Sequence, residues 1–254
     1  MMRLAHIPVL LMLSLVPGTS SAQTLETETA RFHPAHSFQI ASGFEQQFSA
    51  EGRESALPVA FEYALTNTWE LLVEPVPYTA IRPKVGPRAT GLGDLEVTVI
   101  HGLWTESAGR PAIAVAAEVK LATAESRLIG TDKTDFTAYL IASRRLGAVD
   151  LHANLGYTIL GKPAGISVSN LIDFALGATV PAGPRAIAFA EVLGNTSAAG
   201  GPENSTAPEI AGGELSGTIG YGREVSRTLF VSLAATYDNT HAVMLRPGFT
   251  LRIH

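Results

Sequence analysis

The stretch GLGDLEVTVIHGLW, residues 91–104, alternates polar and apolar side chains with a period of two. Because successive side chains of a β-strand point to opposite faces, acids such as Asp94 and Glu96 share one face while Val97 and Val99 share the other. A soluble β-sandwich would bury the apolar face. A membrane β-barrel would turn it towards lipid and keep the acids in a wet lumen. The choice between these folds therefore depends on the whole chain.

The first 22 residues resemble a secretory signal peptide. A short positive start is followed by the apolar run IPVLLMLSLV (7–16), and small residues precede a cleavage site after Ala22. The run is too short to cross a bilayer as a helix, and no later segment approaches 18 consecutive apolar residues. We therefore expect an exported chain with a signal peptide at 1–22, an N-terminal periplasmic segment at 23–36 and an outer-membrane β-barrel at 37–254.

Composition narrows the class of protein further. The chain has 18 Lys and Arg residues against 23 Asp and Glu residues, so nucleic acid is not an expected partner. It contains no cysteine, which argues against a small disulfide-stapled scaffold.

Twelve alternating segments of about ten residues follow the N-terminal segment, separated by Gly, Pro, Asn, Asp and Ser. We predict strands at Ser37–Phe48, Leu57–Thr66, Trp69–Thr79, Gly93–Trp104, Pro111–Leu121, Thr134–Leu146, Ala148–Ile159, Ser169–Val180, Pro184–Gly194, Ile210–Gly222, Thr228–Asp238 and His241–Ile253. Short and mostly longer connections alternate along the chain. This pattern, with an even strand count, is typical of an outer-membrane barrel, whose periplasmic turns are tight and whose external loops are longer.

The faces of the strands agree with this interpretation. In the last strand Phe249 and Leu251 share one face, while Arg246 and Arg252 share the other. A soluble core would have to pair such charges, whereas a lumen accepts them. The predicted lumen-lining residues are Glu70, Glu74, Asp94, Glu96, Glu118, Lys120, Asp150, His152, Asn154, Glu214, Arg246 and Arg252. The ninth strand stays ambiguous, because Ile187 and Phe189 share a face with Arg185 and Glu191.

The chain also resembles a known family. GLGDLEVTVIHGLW is similar to the Gly-Leu-Gly-Asp strand opening of the outer-membrane family named for the MetA pathway of phenol degradation. Four later segments are similar to that family's later strands and loops: VKLATAESRLIGTDKTDF (119–136), NLGYTILG (154–161), AEVLGNT (190–196) and GELSGTIGYGREVSRTLFVSLAATY (213–237). Ala122 and Ala124 depart from the Pro and Gly of the family's turn. The resemblance implies a barrel that passes small hydrophobic or aromatic compounds and has no catalytic site.

Two enzymatic or ligand-binding alternatives were weighed. An outer-membrane phospholipase would share the strand number, but its triad needs a Ser beside a His, and no Ser stands at His-x-Ser spacing near His152 and Asn154. His33 and His36 flank a proline with no third ligand nearby, so we predict no metal site and a solvated segment there. A soluble exported β-sandwich remains the third class.

The sequence thus predicts a non-enzymatic channel or transporter in the bacterial outer membrane, without a cofactor. Its expected partners are outer-membrane lipid and a small-molecule or ion permeant. Acids outnumber bases on the predicted lumen face, so we expect a conducting pore to prefer cations, and neutralising Glu70 and Glu74 together to reduce that preference.

Overall fold

A computed structural model describes residues 26–162, 168–198 and 213–253. The predicted signal peptide, the start of the tenth predicted strand at Ile210 and the terminal His254 lie outside these ranges. Among the described residues, no helix is long and apolar enough to cross a bilayer.

The described chain is a single antiparallel sheet that closes on itself. The strands are β1 (Phe38–Gly43), β2 (Glu45–Phe48), β3 (Gly52–Ala56), β4 (Val59–Ala64), β5 (Trp69–Pro75), β6 (Thr79–Pro83), β7 (Ala89–Gly91), β8 (Leu95–Trp104), β9 (Ala112–Leu121), β10 (Asp135–Leu146), β11 (Val149–Ile159), β12 (Leu171–Gly183), β13 (Ala186–Asn195), β14 (Leu215–Glu224), β15 (Leu229–Asp238) and β16 (Val243–Ile253).

These strands form the predicted twelve-stranded barrel, because four barrel strands are each divided by a short interruption. The divided strands are β1 with β2, β3 with β4, β5 with β6, and β7 with β8. Closure is made by β1 and β16, which pair from Phe38 with Ile253 to Gly43 with Gly248. A closed barrel leaves no unpaired edge along these strands. An apolar environment requires this of a β structure, because unpaired backbone N–H and C=O groups find no hydrogen-bond partner there.

One end of the barrel carries the tight turns, as the sequence predicts. The turns at this short-turn end span 65–68, 105–111, 147–148, 184–185 and 225–228. Two of these turns have only two residues, and the one between β10 and β11 contains Gly147, whose φ of 61° lies in the left-handed region that glycine adopts without strain.

The opposite end differs from the prediction in two hairpins. We expected loops at 49–56 and 80–92, but β3 occupies Gly52–Ala56, and β6 and β7 occupy most of the second range. These strands continue the ladder beyond two short interruptions, at 57–58 and 76–78, which contain Pro58 and Pro77, residues without a backbone N–H. Two external loops are therefore short turns on extended hairpins.

The two wall faces are those that the alternation predicts. On β9, Val115 is exposed on the outer surface while Ala114 and Ala116 are buried inside. On β11, Leu155 and Tyr157 are exposed, whereas His152 and Asn154 are buried. The ambiguous ninth strand is also settled, since Phe189 and Glu191 are both buried inside. Phe189 fits there because its ring lies against Gly220, where a Cβ atom would leave no room.

Candidate functional site

The lumen holds a cavity of about 980 Å³, open towards the long-loop end. Its charged lining is mostly acidic. The acids are Glu26, Glu28, Glu45, Glu74, Asp94, Glu96, Glu118, Asp173 and Glu214, against the bases Lys120, Arg127 and Arg246.

A row of carboxylates crosses three neighbouring strands at the wall of this cavity. Glu74 on β5 stands directly opposite Glu96 on β8, and Glu96 stands opposite Lys120 on β9. Glu118, one pair further along, accepts a hydrogen bond from Thr98 at 3.4 Å. Like charges on opposed positions repel each other, so a shared proton, water or a cation offsets the repulsion between these two carboxyl groups.

The lysine and one arginine of the cavity are already engaged. Lys120 Nζ lies 2.5 Å from Asp135 Oδ2 and 3.9 Å from Asp94 Oδ2. Arg246 Nη1 lies 2.6 Å from Glu26 Oε1 and 3.4 Å from Glu45 Oε1. Among the described residues, Glu74 and Glu96 make no ion pair within 4.0 Å, so the cavity keeps a surplus of negative charge.

Asp94, from the stretch that opened the sequence, shapes the long-loop end rather than only lining it. Its Oδ1 accepts backbone hydrogen bonds from Thr123 and Ala124, each at 3.0 Å, in the turn after β9. Gly91 stands beside it because a Cβ atom there would lie 2.4 Å from the Glu125 carboxylate. The Gly-Leu-Gly-Asp stretch therefore binds the turn that contains Ala122 and Ala124.

Residues 26–33 lie inside the barrel, against the inner wall. Their backbone donates to wall side chains: Thr27 N to Glu191 Oε2 at 2.6 Å, Glu28 N to Asn154 Oδ1 at 2.7 Å, and His33 N to Glu70 Oε1 at 2.7 Å. A fourth wall side chain, Ser143, accepts a hydrogen bond at its Oγ from Ala30 N at 2.9 Å. Side chains on four different strands thus replace the hydrogen bonds that a free segment would make to water. We call residues 26–33 the docked segment.

An apolar patch of the inner wall receives the docked segment. Ala30 is buried against Ile100, Ile141 and the inward-facing alanines of β9, with Phe32 packed beside them. The Phe32 ring also lies against Gly102, where a Cβ atom would approach it to 2.7 Å. Burial of this apolar surface favours docking.

Arg31 fixes the docked segment at the short-turn end. Its guanidinium lies 2.5 Å from Asp150 Oδ1 and 2.6 Å from Glu106 Oε2, and Arg145 makes a second contact to Asp150 at 2.9 Å. Although partial burial works in the other direction, hydrogen bonds from Arg31 and from the Arg145 backbone hold the pKa of Glu106 below its ordinary value. At neutral pH the carboxylates of Glu106 and Asp150 at this end of the lumen are therefore paired with the guanidinium groups of Arg31 and Arg145.

Glu28, further along the docked segment, has the opposite environment. Burial raises the pKa of its carboxyl well above the ordinary value, and the nearby Glu74 and Glu62 carboxylates raise it further. The segment thus brings an additional acid to a site that is already acidic.

A Ser–His pair does occur in the lumen, on neighbouring strands. Ser143 on β10 is paired in register with His152 on β11, and Ser143 Oγ lies 2.9 Å from His152 Nδ1. A search along one strand at His-x-Ser spacing misses this cross-strand contact. Ser143 is 1% exposed and its oxygen accepts the Ala30 N–H, while His152 Nε2 is 3.9 Å from Asp150 Oδ1, too far for a hydrogen bond. The pair anchors the docked segment and offers no accessible nucleophile.

The twelve predicted lumen residues fall into two groups. Eight line the cavity: Glu74, Asp94, Glu96, Glu118, Lys120, Asn154, Glu214 and Arg246. The other four lie inside the barrel but outside the cavity lining: Glu70, Asp150, His152 and Arg252. Glu70 is 2% exposed beneath His33 and lies outside the cavity lining, and its predicted role with Glu74 in ion preference stays a prediction.

The expectation of a solvated N-terminal segment holds for His36, which is exposed, and is wrong for His33, which is 8% exposed. The reason is the docking of residues 26–33. One signal in the sequence could have indicated it: Ile100, Ala112, Ala114, Ala116 and Ile141 place an apolar patch on the inward face of three strands, which a water-filled lumen does not need.

The fold and its lumen define a class of protein, the closed antiparallel barrels of the outer-membrane type. The COG4313 outer membrane channel from Pseudomonas putida F1 is similar in structure, with a TM-score of 0.70 and 10% identity over 90% of this chain and 100% of that one. The NanC porin has a TM-score of 0.58 at 8% identity, covering 84% and 100% of the two chains. A KdgM porin in complex with disordered oligogalacturonate has a TM-score of 0.57 at 10% identity, covering 85% and 99%.

No protein-family model matches the chain, and no curated protein matches it in sequence. The likeness to the three solved structures therefore concerns the fold. The resemblance to the family of the MetA pathway stays a prediction.

Proposed function

We propose that this protein is an outer-membrane channel for small cations, with a lumen narrowed from the periplasmic side by its own docked segment. The observation that carries the proposal is the cross-strand row of carboxylates at the cavity wall, Glu74 opposite Glu96. Unpaired carboxylates along a narrow hydrated passage attract cations and repel anions. The similar barrels of known structure are channels and porins, which supports passage through the lumen as the general role.

The outer-membrane location is supported by the apolar outer surface. Leu140, Leu155, Leu176, Ile219 and Leu233 are each about half exposed or more, on neighbouring strands. A soluble protein rarely exposes a continuous apolar belt of this kind, and a bilayer covers it. The short-turn end, which holds both the start of β1 and the end of β16, then faces the periplasm.

The charge experiment uses single-channel recording in a salt gradient. The unmodified protein is expected to give a reversal potential of the sign for cation preference, and the double variant Glu74→Gln with Glu96→Gln to shift it towards zero. Glu51→Gln is the matched control, because Glu51 is exposed in a turn at the long-loop end. Anion preference in the unmodified protein, or an equal shift in the control, would contradict the proposal.

Membrane insertion is tested on β15, where neighbouring residues face opposite sides. Leu233→Arg places a charge on the outer surface, where the native side chain is 58% exposed, and should lower the free energy of unfolding in lipid by about 2–4 kcal/mol near the midplane. Ser232→Arg, on the lumen side, is the control and should cost much less. Equal losses in urea titrations of the two variants would show that the outer face does not meet lipid.

The small hydrophobic or aromatic permeant that the family resemblance implies is a second candidate. The ring of Tyr139 favours it, since Tyr139 lines the lumen cavity. Liposome swelling with a neutral aromatic solute separates the candidates. Faster uptake of that solute than of a small organic cation of equal size would favour the aromatic permeant.

A further inference from the structure

A second site lies outside the cavity, where the docked segment meets the first strands of the barrel. His33 from the segment, Glu62 on β4 and Glu70 on β5 each direct one ligand atom to a common point, and these atoms all lie within 4.8 Å of one another. His33 and Glu70 are buried, at 8% and 2% exposure. None of the three lines the lumen cavity, so the cluster is separate from the proposed permeation path.

His33 Nε2 lies between two polar neighbours of opposite kind. This nitrogen lies 3.3 Å from Glu62 Oε1, which can only accept, and also against the side-chain amide nitrogen of Gln39, which can only donate. A protonated Nε2 suits Glu62 and opposes the amide, and an unprotonated Nε2 does the reverse. One nitrogen does not serve both neighbours in this arrangement.

Gln39 supplies the independent sign of a missing ligand. The residue is 4% exposed, and its Oε1 is buried without a hydrogen-bond partner. A rotation of the amide by 180° exchanges Oε1 and Nε2 and turns the unpartnered oxygen towards His33. Buried polar atoms without partners are rare in proteins, because each costs free energy.

We propose that His33, Glu62 and Glu70 form a binding site for a divalent transition-metal ion of the Zn²⁺ type, with the Gln39 amide beside it. A metal ion accepts the lone pair of Nε2 and the two carboxylates together, and its charge offsets two acids that lie side by side and are largely buried. Donor atoms around tetrahedral zinc are about 3.4 Å apart, close to the 3.3 Å between His33 Nε2 and Glu62 Oε1. The imidazole ligand favours zinc over calcium or magnesium, which prefer oxygen ligands alone.

The site is partly ordered by contacts that do not involve a metal. Glu70 Oε1 accepts a hydrogen bond from the His33 backbone N–H at 2.7 Å. This hydrogen bond holds His33 of the docked segment next to Glu70 of the barrel wall. Gln39 stands opposite Glu62 in one direction and Arg252 in the other, and Arg252 Nη1 lies 3.1 Å from Glu224 Oε1. The bound ion would tie the docked segment to β1, β4 and β5. The inference uses the position of the segment but not the ion preference of the channel.

The test is zinc binding by the full, untagged, folded protein in detergent. Isothermal titration with Zn²⁺ should show one site per chain, and His33→Gln and Glu70→Gln should each weaken binding at least tenfold. His36→Gln is the matched control, because this exposed histidine lies three residues away with its Nδ1 3.2 Å from the Tyr63 hydroxyl. A 1 mM excess of Mg²⁺ or Ca²⁺ should not displace the zinc. Heat-modifiable mobility on a gel checks that each variant is folded.

X-ray absorption at the zinc edge of the unmodified protein provides a second readout that needs no variant. A single imidazole with oxygen ligands is expected. Absence of stoichiometric Zn²⁺ binding overturns the proposal and shows that the cluster is a histidine–carboxylate ion pair. Binding that His36→Gln removes, or that His33→Gln leaves intact, overturns it as well. Altered ion selectivity in the Glu74 and Glu96 variants bears only on the channel.

Discussion

The two ends of the lumen use the same kind of inner wall in opposite ways. At the short-turn end, Asp150 and Glu106 receive Arg31, and Glu191 receives backbone N–H and hydroxyl groups of Thr27. In the cavity, Glu74 and Glu96 face each other without an ion pair among the described residues. The comparison teaches that the docked segment supplies partners to one set of acids and leaves the other set to water and to passing ions. The first of the following changes also removes Glu26 and Glu28 from the cavity lining, whereas the other two alter the short-turn end.

The largest expected effect comes from releasing the docked segment. Replacing residues 26–33 by Gly and Ser residues of equal number removes Arg31, Phe32 and the contacts of Ala30, so the segment should leave the wall. Single-channel conductance should then rise severalfold while cation preference is kept. The same replacement at 84–88, in a turn at the long-loop end, is the control. Unchanged conductance after the first replacement would show that the segment does not narrow the pathway.

A smaller effect is expected when one anchor is removed. Ser143→Ala leaves the buried Ala30 N–H without its acceptor and His152 Nδ1 without its partner. An unsatisfied buried group costs about 1–3 kcal/mol, and urea unfolding in lipid vesicles should show a loss of stability of that size. Ser232→Ala, on the lumen face of β15, serves as the control and should change stability by less than about 0.5 kcal/mol. Equal losses would mean that Ser143 contributes through packing alone.

The smallest effect concerns pH at the short-turn end. Because the pKa of Glu106 is held below its ordinary value, the contact with Arg31 stabilises docking at neutral pH and is lost as pH falls through that lowered pKa. A cysteine placed at Thr29 should therefore keep its protection in mild acid and react faster with a thiol reagent only below pH 4.5, the ordinary pKa of a Glu carboxyl, after correction for the reagent's own pH dependence. In Glu106→Gln the protection should already be reduced at pH 7. A pH response that is identical in the variant would assign it to another group.

The barrel was predictable because its signal is repeated in every strand. Alternation placed Val97 and Val99 outside and Glu96 and Thr98 inside, and the ladder between β5, β8 and β9 follows that phase. The extended hairpins at β3 and β6 were missed because the stretches at 49–56 and 80–92 contain the Gly, Pro and charged residues typical of loops, although the ladder continues there.

The contents of the lumen were not predictable in the same way. The contact of Ser143 with His152 needs the register between two strands, and that of Thr27 with Glu191 joins residues 164 positions apart. His33 has no metal-ligating neighbour nearby in sequence except His36, while Glu62 and Glu70 reach it only through the closed sheet. Periodicity reports which face a residue occupies, not which segment fills the space in front of it.

The docked segment has a consequence for the order in which the barrel assembles. Its partners are spread from Glu70 on β5 to Arg246 on β16, so the full set of contacts exists only when nearly the whole wall has been built. The segment is continuous with β1, and β1 forms the closing seam with β16. The docked segment and β1 are synthesised first, but their full set of contacts forms only when β16 pairs with β1. The pairing that closes the barrel therefore also encloses the docked segment. Closing the seam and filling the lumen become a single cooperative event, with a long loop to be closed and a correspondingly slow approach to the native state.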